Sequence, residues 1–101
     1  MNDLKDLITT ICIENNLLIT VDEIVEVSKG CRYIAIYLGI GSGHIYRGYK
    51  KHTVLKKCIN KNYRIFNMFE PDAILNSKII LIDVKDLKYT IYDIVRGVVN
   101  V

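Results

Sequence analysis

Three side chains of this 101-residue chain have the types and spacing for metal-assisted chemistry: Asp72, Asp83 and Lys85. Asp83 and Lys85 close the most apolar stretch of the protein, and positions i and i+2 of a strand project from one face. The acid and the lysine would then stand side by side. Asp72 follows Pro71, the only proline, in a turn whose return could bring it toward Asp83. A hard cation such as Mg²⁺ takes oxygen ligands and usually only one or two carboxylates, which leaves positions for water and a phosphate oxygen. The same residues also read as a plain Pro-Asp turn followed by solvated charges at a strand end.

The elements that must position them set the context. From His52 onward the chain reads as a basic helix, a strand, the Pro71-Asp72 turn, a strand ending Asp83-Val84-Lys85, and a helix. With ten residues between the two acids, this order and these residues resemble the PD-(D/E)xK nucleases, the superfamily of restriction endonucleases and Holliday-junction resolvases. The resemblance covers residues 52–99. It implies a nuclease in which Asp72, Asp83 and the Val84 carbonyl hold Mg²⁺ or Mn²⁺ while Lys85 orients or deprotonates the attacking water. The chain departs from that pattern at two points: residues 52–62 carry no acid, and no closing strand follows the last helix.

Charge is distributed unevenly along the sequence. Net charge is +3, yet residues 1–26 hold six acids against one lysine, and residues 27–69 hold no acid at all. Nine bases lie in that block: Lys29, Arg32, Arg47, Lys50, Lys51, Lys56, Lys57, Lys61 and Arg64. A surface of this kind attracts DNA, RNA or an acidic protein. Tyr33, Tyr37, Tyr46 and Tyr49 interleave with Arg32, Arg47, Lys50 and Lys51, so that rings could stack on bases while cations meet phosphates. The expected nucleic-acid-binding set is Arg32, Tyr33, Tyr37, Arg47, Lys50, Lys51, Lys56, Lys57, Lys61 and Arg64. An α-β-β-β-α order over residues 3–62 is similar to that of double-stranded-RNA-binding domains. The alternative is that the tyrosines cover an outer sheet face, where Tyr33 and Tyr37 could also form a homodimer interface.

Other patterns carry less. Gly39-x-Gly41-x-Gly43 lacks the helix that phosphate-binding glycine loops need directly after them, and a hairpin bend or bulge explains it. Cys31, His44, His52 and Cys58 have none of the close ligand pairs of a zinc finger. Three cysteines without close pairing fit reduced thiols in an intracellular, cytoplasmic protein. No stretch approaches the roughly 20 apolar residues of a membrane span.

Periodicity predicts the elements. Leu4, Leu7, Ile8, Ile11 and Cys12 make a helical stripe, capped by Asn2 and closed by Asn15-Asn16. Leu17–Ser28 and Cys31–Ile40 read as a strand hairpin, and His44–Tyr49 as a further strand. Thr53–Asn62 reads as a helix with Val54, Leu55, Cys58 and Ile59 inward. Tyr63–Phe69 reads as extended, Asp72–Ser77 as a turn or short strand, and Lys78–Val84 as a central strand. Asp86 would cap a last helix through Leu87, Ile91, Ile94, Val95 and Val98. The fold expected is one compact α+β domain, an antiparallel or mixed sheet of about five strands with three helices, in the order α-β-β-β-α-β-β-α. Its function is either a small metal-dependent nuclease or a non-enzymatic binding or inhibitor protein, of the sort viruses and mobile elements encode, that blocks or bridges a protein or RNA partner.

Overall fold

The computed structural model describes residues 3–17, 19–38, 45–69, 77–95 and 98–100, with side chains for 3–17, 19–38, 45–61 and 78–93. Helix α1 is Asp3–Asn15, the predicted stripe made real. Asp3 and Asp6 occupy its first turn, where the helix dipole favours negative charge. Ile8 and Ile11 are fully buried, and Leu4, Leu7 and Cys12 pack beside them. Asn16, in the left-handed region at φ 50°, ends it, and the Leu17 N–H bonds back to the Cys12 carbonyl at 3.2 Å, as asparagine is suited to do. Asn2, the expected cap, lies outside the described residues.

The strand expected at Leu17–Ser28 is instead helix α2, Val21–Ser28. Thr20 caps it by accepting from the Glu23 N–H at 3.2 Å, and Asp22 and Glu23 sit in the first turn. Ile24 and Ser28 are buried on its inner side, four residues apart. The β-branched residues that favoured a strand are there used to pack a helix onto the sheet.

Five strands follow the two helices: β1 (Tyr33–Leu38), β2 (Ile45–Gly48), β3 (Ser77–Asp83), β4 (Lys88–Val95) and β5 (Val98–Asn100), with helix α3 (Lys51–Phe69) between β2 and β3. They form one antiparallel sheet in the order β2-β1-β3-β4-β5. The α+β class and the number of helices are as expected, but the element order is α-α-β-β-α-β-β-β. Tyr63–Phe69 continues α3 and is not extended. Beyond Asp86 the chain forms β4 and not a helix. Its Tyr-Thr-Ile-Tyr-Asp-Ile-Val run is β-branched and aromatic, and seven cross-strand pairs with β3 outweigh the apolar spacing that mimicked a helix.

The sheet has helices on both faces. On one, Ile34, Ile36, Ile80 and Ile82 meet Ile8, Ile11, Ile19 and Ile24 of the α1–α2 layer. On the other, Ala35, Tyr37, Ile79, Leu81 and Tyr92 meet Val54, Leu55 and Cys58 of α3. Strand β3 is therefore central and buried on both faces, as its unbroken apolar run implies. Helix α3 crosses β2 closely: a Cβ on Gly48 would stand 2.8 Å from Val54 Cγ2. No helix among the described residues is long and apolar enough to cross a membrane.

Candidate nucleic-acid interface

Strand register gathers the charged residues at one end of the sheet. Gly48 pairs with Tyr33, Tyr33 with Asp83, and Asp83 with Lys88, so these four positions form one row across β2, β1, β3 and β4. Arg32 is locked just outside the row. Its N–H donates to the Gly48 carbonyl at 3.1 Å, and its carbonyl accepts from the Val84 N–H at 2.9 Å.

Asp83 is buried to 8% exposure and already engaged. Its Oδ1 accepts from the backbone N–H of Lys85 and of Asp86, each at 3.1 Å, and its Oδ2 lies 3.6 Å from Arg32 Nη2. This is a carboxylate that shapes the β3–β4 turn. Partial burial pushes its pKa up, but the Asp86 N–H, the Arg32 guanidinium and the Lys85 N–H together hold it below the ordinary carboxylate value. Asp86 shares the same guanidinium, 3.7 Å from Nη2.

The strand alternation expected to set Asp83 and Lys85 side by side does not extend to Lys85. Strand β3 ends at Asp83, and Lys85 is an exposed residue of the turn 84–87, where the alternation that would align the two no longer applies. The element following the turn is a strand, where the nuclease resemblance needs a helix. Pro71 and Asp72 lie outside the described residues, as do His44 and the glycines of Gly39-x-Gly41-x-Gly43. Cys31 packs with the α1–α2 layer and Cys58 under α3, so the sheet separates the two sulfurs of the zinc set. Cys12, Cys31 and Cys58 form no disulfide, and burial pushes the Cys58 thiol up to about 12.

The acid-free block divides by burial. Tyr37 is 2% exposed in the core under α3, which withdraws it from any stacking role and from a dimer face. Tyr33 and Tyr46 are half-buried against the same cluster. Tyr49, in contrast, is 72% exposed, and its hydroxyl donates to the Gly30 carbonyl, which pins the ring at the surface. Arg47, Lys50, Lys51, Lys56, Lys57 and Lys61 are exposed; Arg64 sits on α3, its side chain outside those described.

Two hollows flank the β2–α3 junction. Beside the edge strand β2, a cleft of about 490 Å³ is lined by Lys29, Cys31, Arg47, Tyr49 and Lys57, with glycine backbone from Gly30 and Gly48. It contains no carboxylate, although Glu26 pairs with Lys29 at 2.9 Å on its rim. Lys57 and Lys61, four residues apart on α3, continue the cationic ridge away from it. On the α3 face of the sheet, a smaller cavity of about 210 Å³ is lined by Arg32, Tyr33, Lys51, Leu81, Asp83, Asp86, Lys88 and Thr90. The Arg32 guanidinium lies over the Tyr33 ring at 5.2 Å and Lys51 Nζ over the Tyr92 ring at 5.6 Å. A hydrogen bond with the Tyr92 hydroxyl raises the Lys51 pKa, and the Asp83 carboxylate adds a smaller effect in the same direction.

Asp86, Lys88 and Thr90 are site residues that sequence reasoning missed, because they were read as the start of a helix. Lys29 belongs to the acid-free block and Tyr49 to the tyrosines that interleave with its cations, but neither is in the expected nucleic-acid-binding set. Only the β1–β2 register brings them together. No family model, curated protein or solved structure matches this chain.

Proposed function

We propose that the protein binds nucleic acid without cleaving it, through the basic face formed by the Lys29-Gly30 turn, β2 and the first turns of α3. The observation that carries this reading is a cleft lined by exposed Arg47, Lys57 and Tyr49, with no carboxylate among its lining residues. Cations spaced around a pinned aromatic ring suit a sugar-phosphate backbone with one base stacked on the ring. Lys50 and Lys61 extend the same field along the surface and would steer association.

The metal-dependent cleavage expected from Asp72, Asp83 and Lys85 has less support. One Asp83 oxygen accepts two backbone hydrogen bonds and the other faces Arg32, so Mg²⁺ or Mn²⁺ would have to displace those partners. Lys85 belongs to the turn and is directed by it, not by a strand.

The test is binding of a labelled 20-mer, single-stranded and duplex, measured by fluorescence anisotropy between about 50 and 200 mM salt. Two or three phosphate contacts predict a log–log slope near −2 to −3 on duplex, reduced by about 1 in Arg47→Gln or Lys57→Gln. Absence of binding at about 50 mM salt would overturn the proposal and direct attention to an acidic protein partner. Cleavage of the probe that requires Mg²⁺ or Mn²⁺ and disappears in Asp83→Asn would replace it with the nuclease.

A further inference from the structure

The cavity on the α3 side of the sheet end is separate from the cleft, and its cations are only partly committed. Arg32 holds the one described side-chain nitrogen that is buried without a hydrogen-bond partner, its Nε. Its Nη2 stands 3.6 and 3.7 Å from Asp83 and Asp86, beyond the 2.7–2.9 Å or so of a charge-assisted hydrogen bond. The guanidinium is thus oriented by two carboxylates without being saturated by them. Lys88 pairs with Asp83 across the strands, yet Asp83 turns to the loop amides and Arg32. Among the described residues, no carboxylate lies within ion-pair distance of the Lys51 or Lys88 ammonium.

We infer that this cavity is a phosphate-monoester site, in which Arg32, Lys51 and Lys88 share the oxygens of one terminal phosphate. Arg32 just before β1, Lys51 at the start of α3 and Lys88 at the start of β4 line one hollow and outnumber its two carboxylates, Asp83 and Asp86, and an oxyanion with three free oxygens and a second negative charge would match the three cations. A carboxylate ligand would leave one of them unmatched. At about 210 Å³ the hollow is smaller than the roughly 300 Å³ at which drug-sized ligand sites begin, so it suits a phosphate with its attached sugar. Tyr33 and Leu81 form an apolar floor, and Thr90 offers a hydroxyl.

The cavity and the cleft are adjacent along the chain. Cys31 lines one and Arg32 the other, and Tyr49 lines one and Lys51 the other. On the nucleic-acid reading, the occupant of the cavity is the terminal phosphate of a strand bound in the cleft. This assignment of source rests on the nucleic-acid reading, whereas phosphate binding itself does not. A free mononucleotide offers the same chemistry.

Two measurements separate these sources. First, ¹H–¹⁵N spectra are recorded during titration with inorganic phosphate, adenosine 5′-monophosphate and, as a control, acetate at equal ionic strength. The phosphates should shift the amides of Arg32, Lys51 and Lys88, and Lys88→Gln, a substitution at an exposed residue beside a turn, should abolish the shifts while leaving the rest of the spectrum unchanged. Shifts equal to those with acetate, or shifts that persist in Lys88→Gln, would overturn the site. Second, one oligonucleotide is compared with a 5′-phosphate, a 3′-phosphate and hydroxyl ends. A preference of about tenfold for one phosphorylated end, the scale of one or two charge-assisted hydrogen bonds, that is lost in Lys88→Gln but kept in Lys57→Gln assigns the strand terminus. Equal binding of all ends, with the phosphate shifts intact, assigns the free mononucleotide. It leaves the cleft reading standing, since that reading fails only if no oligonucleotide binds.

Discussion

Asp83 is the residue at which a catalytic and an architectural reading diverge most. Both predict that it matters, but for different measurements. As a turn residue, Asp83 satisfies two loop amides, so Asp83→Ala leaves them without an acceptor and should destabilise the fold by about 1–3 kcal/mol. Asp83→Asn keeps an oxygen for those amides and should cost less, losing mainly the long contact to Arg32. The pH dependence follows from the lowered pKa. A carboxyl whose folded pKa lies below its unfolded value near 3.9 stabilises the protein above that value, and the contribution disappears as pH falls through the folded pKa. Urea denaturation at several pH values between about 5 and 2 should therefore show a steeper acid loss in the wild type than in Asp83→Asn. Equal slopes would mean that the Asp83 interactions are absent in solution.

At the scale of elements, α2 is the instructive case. Thr20-x-x-Glu23 has the spacing of a helix N-terminus, and the Thr20 hydroxyl accepts from the Glu23 amide as that pattern requires. The helix is only eight residues long, too short to persist without tertiary packing, so its cap has a measurable share in holding it. Thr20→Ala should lower stability by about 1 kcal/mol, read as a shift in the urea midpoint with an unchanged m-value. No loss would show that packing of Ile24 onto the sheet alone defines where α2 begins. The β3–β4 hairpin makes the complementary point. The apolar residues of 87–98 satisfy a helical spacing on paper, yet pairing with a buried central strand satisfies the backbone as well as the side chains.

For the whole molecule, two layers of unlike charge enclose one apolar sheet. The α1–α2 layer comes from the acidic first 28 residues, whereas β2 and α3 come from the acid-free block. This leaves the basic side of the sheet facing solvent at its β2 edge, where the cleft lies. Stability resides in the sheet itself. Ile80, fully buried on the α1–α2 face of β3, should cost about 2–5 kcal/mol when replaced by alanine. The same change at Ile91, 42% exposed on β4, should cost under about 1 kcal/mol. Thermal unfolding of both variants checks the ranking, and a comparable loss at Ile91 would require a buried environment at that position, which the sheet does not give it.

The sequence by itself determined the α+β class, the first helix with its Asn16 stop, the inward face of the third helix, and the central position of the Ile79–Ile82 strand. Each rests on a local period or an unbroken apolar run, and burial of that face is its own driving force. It also determined the lopsided charge. Tertiary structure alone decided that Leu17–Ser28 contains a helix and that the chain beyond Asp86 is a strand, since apolar residues of either region could be buried in both forms. It decided as well that Tyr37 is core while Tyr49 is surface, which depends on where α3 lies over the sheet. The row Gly48–Tyr33–Asp83–Lys88 was beyond reach for the same reason. Cross-strand register joins residues up to 50 apart in this row, Tyr33 and Asp83, and no local pattern encodes which of them will meet.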